Sequence, residues 1–117
     1  MARLSTHVLD TSQGRPAAGI AVSLYRISDT GREHCASAVT NRDGRTDQPL
    51  LSDDRIPTGI YELVFAAGPY LRRQGVTLPE PAFLDEVVIR FGIAEETGNY
   101  HVPLLLSPYG YSTYRGS

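Results

Sequence analysis

The chain is predicted to fold as an antiparallel β sandwich or barrel, and three features of its sequence carry that expectation. Eleven Gly and eight Pro interrupt the 117 residues at short intervals. The segments between them are rich in Val, Ile, Leu, Tyr and Thr. Several of those segments alternate apolar and polar residues with the period of two that a strand with one buried face requires.

The first strand is expected over 4–10, with Ser12-Gln13-Gly14-Arg15-Pro16 as the turn that follows it. Residues 20–28 form the next strand, placing Ile20, Val22 and Leu24 on one face and Ala21, Ser23 and Tyr25 on the other. Ser28-Asp29-Thr30-Gly31 turns the chain into a strand over 33–40, and Asn41-Arg42-Asp43-Gly44 is a second turn. A further strand over 60–67 follows Pro57-Thr58-Gly59. Residues 69–75 set Tyr70 and Leu71 beside Arg72, Arg73 and Gln74 and end on Gly75, so the one short helix is drawn there. Pro79-Glu80-Pro81 breaks the chain again before a strand over 85–93. The last two strands, over 100–107 and 109–115, join at Ser107-Pro108. Pro103 has no N–H to give a ladder, which points to an edge, a bulge or an interface.

The length fits a single domain spanning 1–117. All eleven basic residues are Arg, and thirteen acidic residues bring the formal charge to −2. A nucleic-acid binder wants a basic excess, so no nucleic-acid partner is expected. No apolar run approaches the roughly 18 residues that cross a bilayer, and Met1-Ala2-Arg3-Leu4-Ser5 leads into no secretory apolar stretch. The expectation is a cytoplasmic protein without a membrane partner. Cys35 stands alone, which excludes an intrachain disulfide and a Cys-based zinc site and suggests a buried or half-buried small residue. There is no phosphate-binding Gly loop, nucleophile elbow or His-x-x-x-His spacing, and no third ligand accompanies the histidines, so no metal site is expected.

Two histidines, His7 and His101, fall inside predicted strands, where a sheet can hold an imidazole at the fixed angle that acid-base chemistry needs. A structural role for each is the competing reading. His34, beside Arg32 and Glu33 at a turn, is expected to be solvated. Arg45 follows Asp43-Gly44 and has two readings: a guanidinium aimed into a cleft, or a surface partner of Asp43 or Asp47. The ending Tyr111-Ser112-Thr113-Tyr114-Arg115-Gly116-Ser117 stays aromatic and patterned where chain ends usually fray, so it is expected to pack, as an edge strand or into a partner subunit.

Six segments and this ending resemble the 5-hydroxyisourate hydrolases of the transthyretin-like family over essentially the whole chain. They are Leu4-Ser5-Thr6-His7-Val8-Leu9-Asp10, Gly14-Arg15-Pro16-Ala17, Asn41-Arg42-Asp43-Gly44-Arg45-Thr46, Gly59-Ile60-Tyr61-Glu62-Leu63, Arg90-Phe91-Gly92-Ile93 and Tyr100-His101-Val102-Pro103-Leu104-Leu105-Leu106-Ser107-Pro108. The closing Tyr111-Ser112-Thr113-Tyr114-Arg115-Gly116-Ser117 is the most specific of them. Pro108-Tyr109-Gly110-Tyr111 departs from the Trp and Ser of many members.

The resemblance implies an all-β transthyretin-like sandwich of two four-stranded antiparallel sheets with one short helix. It implies a homotetramer, a dimer of dimers with sites at the dimer–dimer interface, and hydrolysis of 5-hydroxyisourate without metal or cofactor. The site residues it implies are His7, Arg45 and His101 for catalysis. Tyr114, Arg115, Gly116 and Ser117 would join His7 and Arg45 in substrate binding. Which histidine acts as base stays open at this level. The rival is a binding module, because transthyretin shares the fold and carries hormone without catalysis; His7, Arg45, His101 and the ending distinguish the hydrolases. A purely structural sandwich would give no reason for the patterned ending.

Overall fold

The computed structural model describes residues 1–117. In chain order its elements are β1 (Ala2–Asp10), β2 (Arg15–Pro16), β3 (Ala21–Ser28), β4 (Gly31–Val39), β5 (Leu51–Asp53), β6 (Gly59–Ala66), α1 (Ala67–Arg73), β7 (Glu86–Ile93), β8 (Asn99–Ser107) and β9 (Gly110–Thr113). They form two sheets around a core of 24 buried side chains, among them Leu4, Leu24, Leu63, Phe65 and Leu104. The expected sandwich with one short helix is what the chain builds.

One sheet runs β4-β3-β6-β7 with every pair antiparallel. The other runs β2-β1-β8-β9, with β5 also on β1, so it holds five strands rather than four. β2 pairs with Leu9 and Asp10, and β5 with Ala2 to Leu4, so two short strands share one edge of β1. At two and three residues they are too short to show alternation in sequence. The pair β1 and β8 is parallel, from Arg3 opposite Asn99 to Asp10 opposite Leu106, which corrects the expectation of wholly antiparallel sheets. Alternation reports a strand's faces and not its direction, and parallel neighbours need a long connection, here most of the chain.

The helix starts two residues before the predicted position, because Gly68 packs closely on Asp85 and its N–H donates to the Asp85 carbonyl at 2.8 Å. Pro103 sits in an interior strand, not at an edge. It is tolerated because the ladder with β9 stops one residue earlier, at Leu104 opposite Thr113. The Pro103 carbonyl accepts instead from the Thr113 hydroxyl at 2.7 Å. Beyond this point the chain bows away and returns only where Gly116 bridges to His101.

In β1 the even-numbered residues Ala2, Leu4, Thr6, Val8 and Asp10 point into the core, leaving Arg3, Ser5, His7 and Leu9 on the outer face. In β8 Tyr100, Val102, Leu104 and Leu106 are buried, and His101 and Leu105 are the half-buried alternates. Asp10 closes β1 as a fully buried carboxylate that accepts from the Tyr70 hydroxyl at 2.7 Å and from Ser12 and Gln13. Burial alone would raise its pKa; the hydrogen bonds outweigh that and hold it below the ordinary carboxylate value. The end of β1 is thereby tied to α1, and the strand that carries His7 is fixed at its far end.

Candidate active site

The two strand histidines meet because β1 and β8 are neighbours with a register that sets Ser5 beside His101 and His7 beside Pro103. Their ring centroids lie 6.4 Å apart with the planes inclined by 35°. The His101 Nδ1 is 2.8 Å from the Ser5 hydroxyl. His34 stays on the exposed surface, as expected, with Nε2 at 2.7 Å from the Ser37 hydroxyl.

Arg45 arrives from a tight turn built by Asn41-Arg42-Asp43-Gly44. The Asn41 side-chain oxygen accepts from the N–H groups of Asp43 at 2.9 Å and Arg45 at 3.2 Å, and the Asn41 N–H donates to the Arg45 carbonyl at 2.7 Å. Gly44 makes the turn possible on two grounds. Its φ is +75°, and a Cβ there would run into the Val8 carbonyl oxygen. Val8 N–H donates to the Gly44 carbonyl at 2.8 Å, and a bridge pairs His7 with Arg45, so the turn is stitched to β1 beside the histidine. Arg45 forms no ion pair with Asp43 or Asp47, and Asp47 accepts from Asn41 instead at 3.0 Å. Of its two sequence readings, the guanidinium in a cleft is the one the structure adopts.

The ending supplies the third wall. Gly116 N–H donates to the His101 carbonyl at 2.7 Å, and a Cβ on Gly116 would lie 2.6 Å from Cδ2 of the His101 ring. Tyr114, Gly116 and Ser117 line the same cleft as His7, Arg45 and His101, which has a volume of about 560 Å³. Arg115 is the one sequence candidate outside this lining. Its guanidinium lies 4.2 Å above the Tyr100 ring and donates to the Asn99 carbonyl at 3.3 Å, fastening the tail from behind.

Sequence reasoning missed Arg3, Ser5 and Asn99, which also line the cleft. Their signal was available: Arg3 and Ser5 share the parity of His7 in β1, and Asn99 that of His101 in β8. No Asp or Glu side chain lines the cleft, whereas Arg3 and Arg45 both do, and neither is in an ion pair. The two guanidiniums bring donors and positive charge to the cleft, which suits an anionic or carbonyl-rich ligand. His7 and His101 are joined there by no third His, Cys or carboxylate side chain that could complete a metal site.

Burial, followed by the nearby Arg45 charge, lowers the pKa of both histidines from the ordinary 6.5, and His7 lowers that of His101 further. Opposing but smaller contributions come from the Asp43 carbonyl and carboxylate at His7 and the Ser5 carbonyl at His101. Both rings are neutral at neutral pH, the state in which an imidazole accepts a proton. Two neutral imidazoles, an unpaired guanidinium and a hydroxyl-bearing tail can together activate water and steady an oxyanion.

The chain is similar to several known proteins. The chain is 63% identical to the 5-hydroxyisourate hydrolase of Mesorhizobium japonicum over 98% of its own length and 92% of that protein. It superposes on the 5-hydroxyisourate hydrolase of Klebsiella pneumoniae with a TM-score of 0.82 and 38% identity, covering 100% of both chains. It also superposes on an (S)-allantoin synthase with a TM-score of 0.91 and 40% identity, covering 99% of this chain but spanning only 44% of that longer one. No helix here is long and apolar enough to cross a membrane. A model of the HIUase/Transthyretin family matches residues 4–116, and the chain belongs to that family.

Proposed function

We propose that this protein hydrolyses 5-hydroxyisourate to 2-oxo-4-hydroxy-4-carboxy-5-ureidoimidazoline in urate breakdown. The observation that carries the reading is the convergence of His7, Arg45, His101 and the tail on one cleft, in a chain 63% identical to a hydrolase of that name. Water adds to the lactam carbonyl of the six-membered ring, the C–N bond breaks, the freed nitrogen takes a proton and a carboxylate forms. One of the two neutral imidazoles takes the proton from water, and Arg45 steadies the charge gathering on the carbonyl oxygen. General-base help is worth about 10²- to 10⁴-fold and one oxyanion donor roughly 3 to 4 kcal/mol. The substrate also decays unaided, so only a modest lowering of the barrier is asked of these groups.

Tyr114, Gly116 and Ser117 shape the substrate's side of the cleft, and Arg115 acts by fastening the tail. Arg3 adds positive charge at the end of the cleft beside Asn99, favouring the carboxylate product. No cofactor enters these steps. A hormone-carrying role is less well supported, because the cleft is lined by His, Arg and Ser where a carrier of an aromatic ligand wants apolar walls. The direct test is the ultraviolet decay of 5-hydroxyisourate, generated from urate by urate oxidase, with and without the protein. Decay at the spontaneous rate would reject the hydrolase.

The lowered histidine pKa values set the pH response. Protonation removes the base, so activity is expected to hold as pH falls below 6.5 and to be lost only on an acid limb whose midpoint lies beneath that value. Arg45→Gln removes a positive neighbour and should shift that limb upward while lowering kcat. A pH profile of the initial rate, for both proteins, checks the sign.

Assembly as a dimer of dimers, with sites where the dimers meet, fits the outer face of the β1–β8 sheet. Leu9, Pro103 and Leu105 lie there among the polar side chains, three apolar positions that a wholly water-facing sheet surface would not favour. Edge strands β7 and β9 carry no further strand partner within the chain and could pair with a second copy. Size-exclusion chromatography with light scattering should give a mass four times the 12.8 kDa of one chain. A monomer that retains full activity would contradict sites built between subunits. The single half-buried thiol, Cys35, suits the reducing cytoplasm as the place of action.

A further inference from the structure

We infer that Ser5 is a positioning residue that holds the His101 ring with Nδ1 toward β1 and leaves Nε2 for the cleft. The parallel register puts Ser5 directly beside His101 on the outer face, and the hydroxyl lies 2.8 Å from Nδ1. That contact is the sole hydrogen bond of the Ser5 side chain. On the opposite ring edge the tail closes in, since a Cβ on Gly116 would stand 2.6 Å from Cδ2 and 3.3 Å from Cγ. The imidazole is thus held between a hydroxyl on its Nδ1 edge and a bare backbone on its Cδ2 edge. Turning the ring over would exchange Nδ1 for a carbon at Ser5 and lose the bond.

In the proposed arrangement the Ser5 hydroxyl accepts from Nδ1–H, which is the tautomer in which Nε2 carries a lone pair. His7 has no side-chain partner of this kind; its ring rests beside Gly44, with Cδ2 3.3 Å from where a Cβ would stand. The two histidines thus differ in what orients them, a side-chain hydroxyl at His101 and the backbone of the Arg45 turn at His7. Ser5 acts in this way on the hydrolase reading proposed above, and the experiment separates the two.

Ser5→Ala and Ser5→Thr are compared with the wild type in the 5-hydroxyisourate assay and by ¹⁵N NMR of the His101 imidazole. Position 5 is half-buried on the outer face, so neither substitution disturbs the core. Loss of one hydrogen bond predicts about a 3- to 10-fold lower kcat for Ser5→Ala, KM within about two-fold because Ser5 orients the ring and does not grip substrate, and recovery in Ser5→Thr. The NMR spectrum should show Nδ1–H with an unprotonated Nε2 in the wild type and a shift toward Nε2–H in Ser5→Ala. A wild type that fails to accelerate ring opening overturns the hydrolase reading, and the tautomer measurement then still decides the role of Ser5. An active wild type whose Ser5→Ala variant keeps both its kcat and its His101 tautomer overturns the role of Ser5 alone.

Discussion

Replacing His101 by Ala is expected to reduce the kcat for 5-hydroxyisourate by about 10²- to 10⁴-fold if its imidazole is the base, with unfolding by urea nearly unchanged. The ring is half-buried on the outer face of the sheet, outside the cluster of buried core side chains, so its removal leaves no core cavity. His7→Ala, on the same face, is the companion variant. Both rings are neutral at neutral pH, but they differ in their partners, Ser5 for His101 and the Arg45 turn for His7. The larger loss identifies the base, and the smaller one measures what the second ring contributes by polarising substrate or returning a proton. Initial rates from the ultraviolet assay, beside circular dichroism of each variant, make the measurement. Wild-type turnover in either variant would remove that histidine from the mechanism.

Gly116→Ala is expected to cost about 100-fold in kcat through a single methyl group. A Cβ at that position would stand 2.6 Å from Cδ2 of His101, far inside contact distance, so either the ring tilts or the tail lifts away. Misplacing a catalytic group by about 1 Å is enough for a loss of 10². Gly116 lies near the chain end, half-buried and outside the core, so thermal stability should change little. Deleting Arg115-Gly116-Ser117 is the more severe form, removing the Gly116 bridge to His101 and the Arg115 contact with Tyr100 together. It should abolish activity with the sandwich intact. Full turnover after that deletion would refute any role for the tail.

Much of the site was legible before the fold was known, because a strand's period of two fixes which side chains share a face. Parity within β1 groups Arg3, Ser5 and His7, and parity within β8 groups Asn99 and His101. Gly44 foretold a turn that could project Arg45, and the patterned ending foretold a packed tail. The two readings of Arg45 could not be separated in sequence, since Asp43 and Asp47 were as near along the chain as any cleft. Their separation depends on the Asn41 amide engaging Asp47 and on the turn being stitched to Val8.

The sequence by itself determined the alternation, the turns, the short helix, the formal charge and the identity of the residues that could do chemistry. These are local properties, set by side-chain period, Gly and Pro conformations and charge. The tertiary structure decided that β1 and β8 lie side by side and parallel, and therefore that Ser5 meets His101 and the two imidazoles stand 6.4 Å apart. It also decided that Pro103 ends a ladder inside a sheet and that the tail returns at Gly116. Strand partners and register join residues almost a chain length apart, and a period of two along one strand holds no information about which strand will lie beside it.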